Sequence, residues 1–164
     1  MSLAVLRQTL GPDICIPVSR RLNPFSIQRI DHIVLRVSDL GRSEAFYKAV
    51  LNCEVVRRRE DLGLLHLRAG ASMIDLVSID GRLGRLGGAG PGSQARNVDH
   101  FCLRIEPFME ETIVLHLMKH GITPHGPAGT NFGAEGDGPS LYFNDPDGNT
   151  IEVKGASLGA RSDS

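Results

Sequence analysis

The chain is short of cysteine, of net charge and of long apolar runs, and each shortage excludes a class of protein. Its three cysteines, Cys15, Cys53 and Cys102, are odd in number and widely spaced over 164 residues. That excludes a disulfide framework and fits a reducing, cytoplasmic setting. Lys and Arg number 18 against 19 Asp and Glu, for a net charge of −1. No basic field exists to hold a phosphate backbone, so no nucleic-acid partner is expected. No apolar run approaches the ~18–20 residues of a membrane span. What remains is ordinary globular material, 41% hydrophobic and 23% charged, in an amount that suits one domain. Glycine alone is in excess, with 19 residues where the usual share is ~7%.

Residues 1–28 differ from the rest. They hold Pro12, Pro17 and Pro24, together with Arg7, Arg20 and Arg21 and a single acid, Asp13. The prolines break any amphipathic targeting helix, so the segment reads as an arm packed on the body or on a partner subunit. Beyond it lies an internal repeat. Asp31-His32-Ile33-Val34-Leu35-Arg36-Val37 recurs 68 positions later as Asp99-His100-Phe101-Cys102-Leu103-Arg104-Ile105. Each copy reads as a buried strand and is followed by a helical pattern. The first helix is capped by Ser38 or Asp39 and runs to about Leu51; the second has Pro107 at its first position and Gly121 at its exit. Further strands are expected at 54–58, 64–68 and 73–79, and again near 122–124, 141–144 and 150–154. The chain then divides into an arm (1–28), one domain (29–155) and a tail (156–164). Within the domain, module 1 covers 29–80, a flexible Gly-rich linker 81–96, and module 2 97–155.

Strand alternation places His32, Val34 and Arg36 on one face, and His100, Cys102 and Arg104 on the equivalent face of the second copy. The last strand of each half adds a carboxylate in apolar surroundings, Asp75 and Glu152. A buried carboxylate is costly unless it is paired or bound to a metal. Two imidazoles and two carboxylates suit one divalent transition metal; the alternative is a pair of structural polar contacts. The Gly-rich segment 126–138 reads as a lid over a small ligand or as a surface loop. Asp145-Pro146-Asp147-Gly148-Asn149 reads as a turn rather than a calcium loop. His66 shares a strand face with Arg68. Cys102 reads as a small buried hydrophobe rather than a nucleophile.

Two stretches carry a resemblance to a known family. The first is His32-x-x-x-Arg36-Val37-x-Asp39-Leu40-x-Arg42-Ser43-x-x-Phe46-Tyr47, and the second is Tyr142-Phe143-x-Asp145-Pro146-Asp147-Gly148-Asn149-x-Ile151-Glu152. Residues 29–155 thereby resemble the vicinal oxygen chelate superfamily of type I glyoxalases, extradiol dioxygenases, and fosfomycin- and bleomycin-resistance proteins. The motifs come nearest to the glyoxalases. The resemblance implies an α+β fold of two paired βαβββ modules, forming a curved mixed sheet around a metal-binding cleft. It implies one divalent ion (nickel, zinc, manganese or iron) on His32, Asp75, His100 and Glu152, with Glu152 also the catalytic base. Arg36, Arg104, Tyr142, Cys102 and His66 are the expected substrate-binding residues. The implied activity is that of a lyase or isomerase on a small molecule that chelates the ion through neighbouring oxygens. A thiol such as glutathione is an implied partner, and so is a second copy of the chain. Two departures are visible. Asp75 stands where glyoxalases place a glutamate, and Ile79 stands where they place an asparagine for glutathione, which argues against lactoylglutathione lyase activity. The alternatives are a metal-free binding protein of the bleomycin-resistance type, a fosfomycin-resistance-like thiol transferase, and an extradiol dioxygenase. Tyr142 and Arg161 favour the fosfomycin reading, whereas Val34 in place of a threonine opposes it.

Overall fold

A computed structural model of the chain describes residues 27–92, 94 and 98–159. The expectations for residues 1–26, for the end of the linker and for Arg161 lie outside the described residues.

Two equivalent units follow one another. The first is β1 (His32–Val37), α1 (Leu40–Leu51), β2 (Glu54–Arg59), β3 (Leu64–Ala69) and β4 (Ser72–Ser78). The second is β5 (His100–Arg104), α2 (Glu110–Lys119), β6 (Gly129–Gly133), β7 (Gly136–Asn144) and β8 (Thr150–Lys154). Their sheets have the same order, β1-β4-β3-β2 and β5-β8-β7-β6, with the first pair of each parallel and the others antiparallel. The α+β architecture of paired βαβββ modules is therefore present. Among the described residues no helix is long and apolar enough to cross a membrane.

Local chemistry sets the elements. The Asp39 side chain accepts the Arg42 amide at 2.9 Å and so starts α1, as an N-cap does. Asn52, with φ 52°, ends it, a left-handed residue of the kind that terminates helices. The helix expected from Pro107 begins three residues later, at Glu110. One side of each sheet is apolar. Leu35, Val37, Leu65, Leu67, Ile74 and Leu76 from the first sheet join Leu141, Phe143, Ile151 and Val153 from the second, in a single core with Tyr47 and Leu117.

Two expectations change. Residues 122–124 are irregular, and the edge strand of the second sheet is β6, which lies inside the segment read as a lid. An edge strand needs backbone pairing on only one side, so a Gly-rich stretch can supply it even with little side-chain packing. The linker read as flexible holds a short 3₁₀ helix, Gly84–Gly87. It lies so close to the end of β4 that a Cβ on Gly84 would sit 1.9 Å from the Ser78 carbonyl oxygen. Only glycine fits there.

The turn between β7 and β8 joins the modules. Asp145 is buried. Its carboxylate accepts the Tyr47 hydroxyl at 2.8 Å, the Asp147 and Asn149 amides at 2.9 and 2.8 Å, and the Asn149 side-chain amide at 2.8 Å. Asp147 continues the joint by accepting the Ser38 amide and the Ser43 hydroxyl, each at 2.9 Å. Burial works to raise the Asp147 pKa, but the Ser38 and Ser43 hydrogen bonds and the Arg42 charge outweigh it and hold the carboxyl below its ordinary value.

Candidate functional site

The face opposite the core carries the polar residues. Strand register lines up a transverse row in each module: Val34–Asp75–His66 in the first and Cys102–Glu152–Tyr142 in the second. In-register neighbours on one face lie within contact range, and the rows use this. In the first row His66 Nδ1 is 2.9 Å from Asp75 Oδ2; beside the second, the diagonal neighbour His100, two positions before Cys102, brings Nε2 to 3.3 Å from Glu152 Oε2.

Both first-strand histidines are braced by the residue before them. His32 Nδ1 meets Asp31 Oδ1 at 2.9 Å, and His100 Nδ1 meets Asp99 Oδ2 at 2.8 Å. The Asp31 hydrogen bond raises the His32 pKa against an opposing desolvation, with the Asp75 and Asp31 charges adding to it. A carboxylate on one ring nitrogen fixes the tautomer and aims the other nitrogen outward, the usual support of a metal-binding histidine. Strand alternation alone does not single out Asp31 or Asp99. Their signal was in the repeat itself, which opens on Asp-His twice.

Asp75 and Glu152 each keep one oxygen buried without any hydrogen-bond partner, Oδ1 and Oε1 respectively. A buried carboxylate oxygen with nothing to accept is costly. Its recurrence at equivalent positions of the two modules fits a cation held there, so the residues present suit a divalent ion. Among the described residues, however, no group of three or more His, Cys, Asp or Glu side chains is near enough to hold one. The four expected ligands divide instead. His100 and Glu152 are brought together. Asp75 is taken by His66, and His32 stands in the first module within electrostatic reach of Asp75. His32 and His100 do line one cavity of about 520 Å³, with Met73 and Cys102.

The expected substrate-binding residues also separate. Tyr142 sits edge-on to His100, with ring centroids 5.5 Å apart, and its hydroxyl accepts from Asn131 at 3.2 Å. Burial and then Glu152 raise its pKa, so it stays protonated. Cys102 is exposed rather than the buried hydrophobe expected, because its face of β5 turns away from the core; partial desolvation and the Glu152 carboxylate still push its thiol up to about 12, which keeps it a thiol at neutral pH. Arg104 pairs with Glu135 at 2.9 Å. Arg36 is engaged elsewhere in the fold. Its Nη1 donates to the Gly87 and Ala89 carbonyls and its Nη2 to those of Gly84 and Gly88, all between 2.7 and 2.9 Å. Replacing Arg36 with methionine should therefore cost about 1.5–3 kcal/mol, the range for hydrogen bonds to a charged group. Residues 82–92 should become open to proteolysis. A melting temperature and cleavage pattern unchanged from wild type would contradict this role.

Comparisons with known proteins agree with this fold. The virulence protein STM3117 of Salmonella typhimurium is 33% identical over 132 residues, which are 77% of this chain and 83% of that protein. Its crystal structure superposes with a TM-score of 0.67 at 29% identity, covering 80% of this chain and 99% of that one. An integron cassette protein of Vibrio cholerae gives 0.64 at 29% identity, covering 81% and 98%. The fosfomycin resistance protein FosX of Listeria monocytogenes gives 0.61 at 21%, covering 81% and 94%, a likeness of fold. The family model for the Glyoxalase/Bleomycin resistance protein/Dioxygenase superfamily matches residues 29–153, and the chain belongs to that superfamily.

Proposed function

We propose that the protein is a metal-dependent enzyme, a glyoxalase-like lyase or isomerase that acts on a small molecule chelating the ion through neighbouring oxygens. The observation that carries this reading is the matched pair of orphaned carboxylate oxygens, Asp75 Oδ1 and Glu152 Oε1. His32, His100 and Glu152 would hold the ion, with Asp75 as a fourth or outer ligand. When bound, the ion (nickel, zinc, manganese or iron) would polarise the chelated oxygens and stabilise charge that develops on them. Glu152 would also act as the base that takes a proton from the substrate, and the 3.3 Å contact of its Oε2 with His100 supports this by limiting rotation of the carboxylate. Tyr142 and Cys102, the register neighbours of Glu152 on either side, flank the carboxylate as neutral groups.

Since each module carries half of the ligand set, we also propose a homodimer that completes the site from both copies. Glutathione is a poor fit for the substrate, because Arg36, which the family resemblance implies would grip a glutathione carboxylate, donates instead to four backbone carbonyls. A second reading, a three-ligand centre of the fosfomycin-resistance or dioxygenase kind, is favoured by His66 holding Asp75 Oδ2. A FosX structure contains manganese(II) and a dihydroxypropylphosphonic acid.

The test is metal analysis of the protein after supplementation with nickel, zinc, manganese or iron, combined with light scattering. About one ion per chain in a dimer is expected. A metal-free wild type would sink the reading. Tight ligand binding that a chelator does not disturb would favour a binding protein instead. Oxygen uptake with catechols on the iron-loaded form would favour the dioxygenase.

A further inference from the structure

Module 2 buries a cation that the reading above leaves unused. Lys154 follows Glu152 by two positions on β8, so both side chains leave the same face, roughly 7 Å apart along the strand. Lys154 is only 6% exposed. Its ammonium donates to one carbonyl, that of Gly136 at 3.0 Å, and it forms no ion pair among the described residues. A buried ammonium with a single neutral acceptor is costly.

The fold nevertheless makes room for it. A Cβ on Gly138 would lie 2.5 Å from Nζ, and one on Gly133 would lie 2.9 Å from Cε. Directly across the ladder stands Arg104, the register partner of Lys154. Arg104 Nε donates to Glu135, at the tip of the β6–β7 hairpin. Lys154, Arg104, Glu135 and Cys102 together line a cavity of about 200 Å³. Two cations thus face a small cavity; the outer one, Arg104, is held by Glu135 in the cavity wall and, at 3.4 Å, by Glu106 outside it. The Glu135 side chain is 57% exposed, so moving it away costs little burial.

We propose that this cavity is an oxyanion subsite, where Lys154 and Arg104 take a carboxylate or phosphoryl group of the small molecule and Glu135 keeps the place until displaced. As an anion site it stands on Lys154 and its cavity alone. As a statement about the substrate it rests on the metal reading, and the substrate then carries neighbouring oxygens at Glu152 and an anionic group roughly 7 Å away.

The experiment is a calorimetric titration of chelator-treated protein, in low salt, with malonate and separately with methylphosphonate. Saturable binding of at least one anion is expected in the wild type. Lys154→Met should weaken it about tenfold or more, the effect of one charged hydrogen bond. Glu135→Gln should strengthen it about threefold by removing the competing charge. Lys119→Met, on the exposed side of α2, should change nothing. Binding of malonate alone identifies a carboxylate ligand, and binding of methylphosphonate alone a phosphoryl ligand. No saturable binding of either, or equal binding by Lys154→Met, overturns the proposal. If Lys154→Met does not fold, Glu135→Gln decides: tighter binding supports the subsite, and unchanged or weaker binding overturns it. A chain that takes no metal yet binds malonate through Lys154 would remove the metal reading and leave the subsite standing. Metal bound through His100 with an anion affinity indifferent to Lys154 would do the reverse.

Discussion

Asp145→Ala is expected to destabilise the protein by about 3–5 kcal/mol, since each buried neutral donor left without its acceptor costs about 1–3 kcal/mol. The substitution orphans the buried Tyr47 hydroxyl and leaves the Asp147 and Asn149 amides without their acceptor. Tyr47 cannot relieve the loss by ionising, because burial drives its pKa far above the ordinary value even before the Asp145 charge adds to it. The damage also falls on a joint. Tyr47 belongs to α1 of the first module and Asp145 to the β7–β8 turn of the second, so the change loosens both modules at once. Urea denaturation should show a midpoint lower by roughly 2 M, for a slope of about 2 kcal/mol/M. Tyr47→Phe should cost only about 1–2 kcal/mol, since three donors still satisfy the carboxylate. Equal losses in the two variants, or a midpoint for Asp145→Ala within 0.5 M of wild type (roughly 1 kcal/mol at that slope), would show that the network contributes little.

This joint separates what a local sequence pattern carries from what it does not. The Asp-Pro-Asp-Gly-Asn stretch declared itself a turn through the backbone habits of its residues, which are local. That its first aspartate would receive a tyrosine 98 positions away is a tertiary fact no local pattern carries. The repeat of Asp-His strands gave the two modules and the shared polar face, because alternation is a property of the strand alone. His66 opposite Asp75 was also legible in principle. The β3–β4 turn at Gly70 and Ala71 pairs Ala69 with Ser72, and counting back from it brings 66 against 75. Arg36 shows the opposite case. Strand alternation puts it on the polar face, but its partners are carbonyls of a Gly-rich segment whose path the sequence does not encode in any periodic way. Lys154 was hidden for a related reason. Burying it depends on β6, and glycines 129 and 133 gave that strand no apolar pattern to be recognised by.

Loss of His100 should have the largest effect on metal binding, and the bracing aspartates should rank below it. His100→Ala removes a donor and also releases Glu152 Oε2 from its 3.3 Å contact, so the carboxylate loses its fixed aim as well. The expected loss of affinity exceeds the ~10–100-fold typical of residues that only support a ligand. Asp99→Asn keeps His100 in place but weakens the hydrogen bond on Nδ1. Because the Asp99 side chain is 97% exposed, water screens much of its charge, and the loss should fall near tenfold, the low end of that range. Asp31→Asn should behave alike, since the His32 brace is built in the same way and is 78% exposed at the carboxylate. His66→Ala should act differently, by freeing Asp75 Oδ2 to join the ion and so changing the manganese paramagnetic resonance spectrum more than the affinity. Competition against a chromophoric chelator measures the affinities, and circular dichroism confirms that each variant is folded. If folded His100→Ala binds metal as the wild type does, the ion is not held at Glu152, and the orphaned oxygens need another partner. If Asp99→Asn weakens binding as much as His100→Ala, His100 depends on its brace for more than orientation, and the exposed aspartate itself becomes a candidate ligand.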